Sequence, residues 1–413
     1  MKKLLLGTAA IALGMAFVTS PANAQVKLDV GGHFKGYVSW IDQDEGIDFD
    51  GDGSAEDARS FDILRETEVH FSGETTLDNG LTVGAHIEAE ADGSDNRGGA
   101  TDSFDVEESY VYFSGAWGRV NFGAEDGAAY LLQVAAPSAD SNIDGIRQYV
   151  SPVQYGLHGD GALGIGDLAL ANIIFGPLRF DYDQAISDYD NKLTYMTPVF
   201  NGFQAGVSYT PEMTDGGDPL GDGTASFGVH TDDMEDDYGE IWDLAARYEG
   251  QFDQVGVALG AGWTHAELEQ SVAVPVVGDL DDIEAWNVGV DLDWKAFGLG
   301  VVYTEDDLGL HGNSDQETWV VGVDYTTGPF KIGASYYNQD LELDGLSGAV
   351  GSDELDTERW TGGVVYTYGP GMTFRGSVSF IEHDLPGATA AGLGAGQPDF
   401  DATSVMLGTQ INF

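Results

Sequence analysis

The 413-residue chain has no cysteine, and only 16 lysines and arginines stand against 70 aspartates and glutamates. Without cysteine there is no disulfide, thiolate metal centre or thiol nucleophile. With so few basic residues nucleic acid is an implausible partner, because phosphate binding needs a cationic surface. Long apolar runs are missing too: beyond residue 24, no stretch approaches the ~18 residues of a helical membrane span. The nearest candidate, 162–176, carries Asp167 and several glycines. Catalytic signatures are absent as well. There is no HExxH, no GxSxG elbow and no tandem GGxGxD repeat, and the eight histidines are scattered. His70, His86 and His265 read as lumen or rim residues rather than catalysts.

What is present begins with residues 1–24, which read as a secretory signal. Lys2 and Lys3 precede an apolar Leu4–Val18 stretch, and Ala22-Asn23-Ala24 offers a small-x-small cleavage site. The stretch is short for a membrane anchor. Removal of this segment with its two lysines leaves 14 basic residues against 70 acidic, a formal charge of -56 over 389 residues. Gly is abundant at 59 and aromatics reach 11%, so the expectation is an organised chain rather than a disordered one.

Period-two alternation marks sixteen segments of about ten residues, the pattern of strands that cross a bilayer. They lie near 27–41, 60–74, 81–90, 103–114, 118–123, 189–197, 203–210, 238–249, 254–267, 283–294, 298–304, 316–326, 330–338, 356–367, 372–381 and 400–413. Connectors alternate between tight turns, such as Asp78-Asn79-Gly80, and long pieces rich in Asp, Glu and Gly. This asymmetry predicts one rim in the periplasm and one outside. Four segments repeat one decoration: Trp242 with Tyr248, Trp286 with Trp294, Trp319 with Tyr325, and Trp360 with Tyr366, each pair on one face with aliphatic residues between. That is a lipid-facing band bounded by aromatic girdles. A soluble β-sandwich would share the parity but not the one-sided long loops. The expectation is all-β: a single domain, residues 25–413, forming a 16-stranded antiparallel transmembrane β-barrel.

The final strand places Val405, Leu407, Thr409, Ile411 and Phe413 on one face. It resembles the closing strand and assembly signal of bacterial outer-membrane barrels, which implies the outer-membrane assembly machinery as a partner. The entry strand VKLDVGGHFKGYVSW, the stretch VHFSGETTLDNGLTVGAHIEAE and the segment VYFSGAWGRVNFGAEDGAAYLL extend the likeness through the mature chain. It resembles the trimeric general-diffusion porins of Gram-negative bacteria, most closely the alphaproteobacterial, Rhodobacter-like type. The resemblance implies a homotrimer with a water-filled passage narrowed by a long third loop folded into the pore. Loop carboxylates would oppose basic residues on the wall. The insert here, about 124–188, is unusually long for the family.

Parity directs Lys35, Arg247, Arg359 and Arg375 inward as wall residues. Arg65 falls on the lipid-facing parity, which predicts a bulge or a place near the rim. On the loop, Glu125, Asp126, Asp140 and Asp144 are the acids expected to approach the passage, and Arg147 is a candidate loop anchor. The first long loop contains DFDGDG, in which Asp48, Asp50 and Asp52 precede a Gly turn, with Glu56 at position nine of a calcium-loop pattern. Position twelve is Arg59, so an EF-hand is rejected, and a structural loop Ca²⁺ held by Asp48, Asp50, Asp52 and Glu56 is the remaining expectation. No cofactor is otherwise required. Divalent cations are expected to bridge the acidic rim to anionic outer-membrane lipid and lipopolysaccharide.

The leading functional expectation is a porin passing small hydrophilic solutes and ions, with cations preferred because of the charge. A solute-specific outer-membrane channel and a calcium-binding surface protein are the alternatives, and no enzymatic activity is expected.

Overall fold

The computed structural model describes residues 26–45, 57–93, 103–154, 180–213, 237–271, 273–274, 278–310, 314–342, 354–384 and 400–413. The signal segment and the Asp48, Asp50, Asp52 and Glu56 cluster lie outside the described residues.

Among the described residues, eighteen strands and two helices of four residues each follow in chain order. They are β1 (Lys27–Gln43), β2 (Phe61–Thr76), β3 (Thr82–Gly93), β4 (Ser103–Gly115), β5 (Gly118–Ala124), α1 (Ala128–Leu131), α2 (Ser141–Asp144), β6 (Asn191–Met196), β7 (Phe203–Glu212), β8 (Tyr238–Phe252) and β9 (Val255–Leu268). The chain continues with β10 (Ala273–Val274), β11 (Gly278–Asp279), β12 (Ile283–Trp294), β13 (Phe297–Asp306), β14 (Asp315–Thr327), β15 (Phe330–Glu342), β16 (Glu354–Gly369), β17 (Met372–Asp384) and β18 (Phe400–Asn412). Sixteen of them, all but the short β10–β11 pair, form one closed antiparallel barrel, each bonded to its neighbours in the chain. These are the sixteen segments read from alternation.

Closure joins the first strand to the last. Lys35 pairs with Gln410 and Trp40 with Val405, and the seam ends where Gly32 and Phe413 exchange two backbone hydrogen bonds of 3.1 Å. With no free edge, every barrel strand finds partners on both sides, as a hydrocarbon surround requires.

The tight turns share a cause. Asn201, Asp253, Lys295, Gly328 and Gly371 have positive φ in two-residue turns, and Gly80 takes it at the end of the three-residue Asp78-Asn79-Gly80 turn.

The outer surface is apolar. Leu244, Val288, Leu299, Val323 and Leu407 are exposed along it. Aromatic pairs mark both ends of this band, Trp40 with Phe61 and Trp286 with Tyr303 at the long-loop rim, and Trp294 with Phe297 and Phe330 with Tyr366 at the short-turn rim. Arg65 stays on this outer face opposite Gly36, and the β1–β2 register runs without a shift. The expected bulge is therefore not what accommodates it. It lies four residues from the long-loop end of β2, within reach of the rim for so long a side chain.

Candidate functional site

Inside the barrel lies the connection between β5 and β6, whose described residues, 125–154 and 180–190, pack within the lumen. Its path follows a track of glycines on the inner wall. Ala128 lies on Gly206 of β7, Ala129 on Gly262 of β9, Val134 on Gly260 and Gly289, Pro137 on Gly300 and Gly322, and Ala139 on Gly333 and Gly363. A Cβ on Gly300 would come 2.5 Å from Pro137 Cδ, and one on Gly289 or Gly333 would come 2.8 Å from loop backbone. The missing side chains let the loop lie flat against the wall, so seven strands from β7 to β16 present a groove that the segment 128–139 fills. The returning segment is fixed by Gln184, whose Nε2 donates to Thr264 Oγ1 at 2.8 Å and to the Ala285 carbonyl at 2.9 Å.

All four basic residues expected on the wall point inward, and none of them faces the loop across a gap. Arg375 Nη1 donates to Asp140 Oδ1 at 2.6 Å, Arg359 Nη1 to the Ile143 carbonyl at 3.0 Å and Arg247 Nη1 to the Gln133 carbonyl at 2.8 Å. They hold the loop to the wall. Lys35 is 3% exposed, pairs with Glu66 on β2 at 2.7 Å and lies over the ring of Tyr149.

The loop acids are likewise buried rather than displayed to the passage: Glu125, Asp126, Asp140 and Asp144 are at most 6% exposed. Asp140 caps α2 and also accepts from Tyr37 Oη at 2.9 Å, so its charge is spread over a guanidinium, a phenol and a backbone N–H. Asp144 accepts from Ser335 Oγ at 2.8 Å, and Glu125 accepts from Asn121 Nδ2 at 2.6 Å. The sequence overestimated their exposure because a long acidic insert reads as solvated when its docking groove is invisible.

Arg147 gathers the loop onto itself. Its Nε meets Asp183 at 2.7 Å, Nη1 donates to Tyr189 Oη at 2.5 Å, and Asp188 and Asp126 lie 3.5 and 3.6 Å from Nη2. Burial pushes the Asp126 and Glu125 carboxyls up to about 7, against the pull of Arg147 on the first and of Asn121 on the second. Burial also raises Asp144 to about 6.

A grouping of side chains that the sequence reading missed lies on β1–β3. His33, His70 and His86 line up across three adjacent strands with ring centroids 6.0 and 5.6 Å apart. Carboxylates alternate with them: Glu66 is 2.8 Å from His33 Nε2, Glu68 is 3.1 Å from His70 Nε2, and Glu88 is 3.0 Å from His70 Nδ1. Parity held the clue, since Glu66, Glu68 and His70 alternate with outward Val69 and Phe71. Donor atoms of His70, His86 and Glu88 come close enough together to hold a metal, as do those of His33, Glu68 and His70 and, at the long-loop rim, Glu212, Asp237 and Glu269. Farther toward the short turns, Asp291 and Asp293 of β12 and Asp324 of β14 share the inward parity of Gly289 and Gly322, with Lys331 Nζ 3.3 Å from Asp324.

A family model described as Gram-negative porin matches residues 7–384. No curated protein shows a significant sequence match to the chain. Solved structures of the same fold include an anion-selective porin from Comamonas acidovorans, with TM-score 0.60 and 17% identity over 94% of this chain and 100% of that one. The trimer form of in-vitro folded OmpT from Vibrio cholerae gives TM-score 0.52 and 14% identity over 94% of this chain and 99% of the other. A Rh. blastica porin variant gives TM-score 0.50 and 16% identity over 94% and 100%.

Proposed function

Since the chain belongs to the Gram-negative porin family, we propose that it forms a water-filled outer-membrane channel for passive diffusion of small hydrophilic solutes and ions, with a preference for cations. The observation that supports this most is the described part of the β5–β6 loop, 125–154 and 180–190, laid against the inner wall of a closed barrel so that it narrows the lumen. The arrangement sorts solutes by size and charge and performs no chemical step.

The cation preference rests on the balance of charges along the lumen. Arg375 and Arg359 are bound to the loop, and Arg247 to the loop and to Glu249 at 2.7 Å. Among the described residues acids outnumber bases along the lumen: Glu66, Glu68, Glu88 and Glu108 on β2–β4 share Lys35 and three histidines, and Asp291, Asp293 and Asp324 share Lys331. A low-dielectric wall of one sign concentrates the opposite ion in the passage. The anion-selective porin of similar fold shares too little sequence to carry its selectivity over to this chain.

Assembly as a homotrimer, export through residues 1–24 and insertion by the outer-membrane assembly machinery through the Phe413 strand belong to the same reading. Contact of the acidic loops with lipopolysaccharide through divalent cations belongs to it as well. Swelling of proteoliposomes in isotonic sugars tests the channel: graded rates, fast for small sugars and slow for large ones, are expected, and no swelling with folded protein in the bilayer would overturn it.

A further inference from the structure

We propose that the inner wall of β2 and β3 binds one divalent transition-metal ion through His70 Nδ1, His86 Nε2 and a Glu88 carboxylate oxygen. The Glu88 oxygen lies 3.0 Å from His70 Nδ1 and 3.5 Å from His86 Nε2, and the three donor atoms are mutually close. Bonds of ~2.0–2.2 Å in tetrahedral array set donors roughly 3.3 Å apart, so the gathering needs only small side-chain shifts to close on an ion. Glu108, 3.8 Å from His86 Nε2, supplies a nearby fourth oxygen.

The outer ring of partners suits metal binding. With Nδ1 given to the metal, His70 has Nε2–H left to donate to Glu68 at 3.1 Å. With Nε2 given, His86 has Nδ1–H left to donate to Ser72 Oγ at 3.0 Å. Each ligating imidazole is thereby fixed in tautomer and orientation by its other nitrogen, the arrangement that metal-binding histidines use. The neighbouring trio of His33, Glu68 and His70 shares His70 but lies toward Lys35, whose ammonium on Glu66 opposes a second cation there. Two imidazoles with carboxylate select zinc, copper or nickel over calcium or magnesium, which prefer all-oxygen shells. The His70 side chain is 28% exposed, so the position is reachable from the lumen, and a bound ion there opposes the passage of other cations.

The test uses tag-free barrel folded in detergent, with folding verified by heat-modifiable mobility, and titrates ZnCl₂ calorimetrically. The expected result is one zinc per protomer, at least tenfold weaker binding in His86→Gln and Glu88→Gln, and unchanged binding in His265→Asn on β9. In bilayers, zinc is expected to lower the conductance of the parent protein and not of His86→Gln. Binding that survives both substitutions, or calcium competing equally with zinc, would overturn the proposal. Because calorimetry reads binding without ion flow, its failure would leave the channel reading standing.

Discussion

A Cβ on Gly322 of β14 would overlap the carbonyl oxygen of Pro137, so these two residues meet with no room for a side chain between wall and loop. Gly322→Val therefore pushes the loop off the wall and into the lumen. The expected outcome is a folded barrel with reduced single-channel conductance and a stability loss of about 1–3 kcal/mol, the usual cost of overpacking. Gly369→Ala, where a Cβ meets nothing within 4 Å, is the matched control and is expected to change neither.

The pair Arg375–Asp140 fastens the far end of the same segment. Removing the cation by Arg375→Met leaves a fully buried carboxylate short of its charge partner, which costs about 3–5 kcal/mol in buried pairs. Limited proteolysis across 127–154 is expected to speed up in Arg375→Met and to recover in the double variant Arg375→Met/Asp140→Asn, where no buried charge is stranded. Equal protease resistance in all three proteins would show that the loop is held elsewhere.

Loop docking depends on pH through Asp126 and Glu125. Burial raises both carboxyls to about 7, well above their ordinary range, so the docked loop favours the protonated forms. This stabilisation is full below the ordinary carboxyl range near pH 4 and is lost as pH rises through about 7. Amide exchange in 126–148, corrected for intrinsic rate, is expected to be slower at pH 5 than at pH 8. Asp126→Asn with Glu125→Gln removes most of that difference.

How far the sequence spoke can be judged from particular segments. Alternation located all sixteen barrel strands, because lipid on one face and water on the other imprint period two on every one. It cut β15 at residue 338 although the strand runs to Glu342, since Asn338-Gln339-Asp340 has left the apolar band and no longer alternates. The glycine track was not legible: an inward Gly says that backbone can approach there, but not which backbone. The parity of Ile63, Val69 and Phe71, used only for Arg65, also implies that Glu66, Glu68 and His70 face inward. Only the register, Gly31 opposite His70 and Ser72 opposite His86, brings His33 and His86 beside them, and register between strands is not written in either strand alone.

We propose that divalent cations bind the acidic long loops, where the sequence sets Asp48, Asp50, Asp52 and Glu56 in a calcium-like pattern. An ion that binds only the folded state raises the melting temperature by mass action. Chelation by EDTA is expected to lower the melting temperature and to weaken the trimer band on gels, and added Ca²⁺ to restore both. The shift should shrink in Asp48→Asn/Asp50→Asn. A melting temperature and band unaltered by EDTA would remove divalent cations from the account.

The central claim, a loop-narrowed and cation-preferring passage, is tested most directly by planar-bilayer recording of the purified protein in a KCl gradient. Stepwise, long-lived openings and a reversal potential displaced toward the potassium equilibrium value are expected. Silence from folded protein, or a reversal potential on the chloride side, would contradict it.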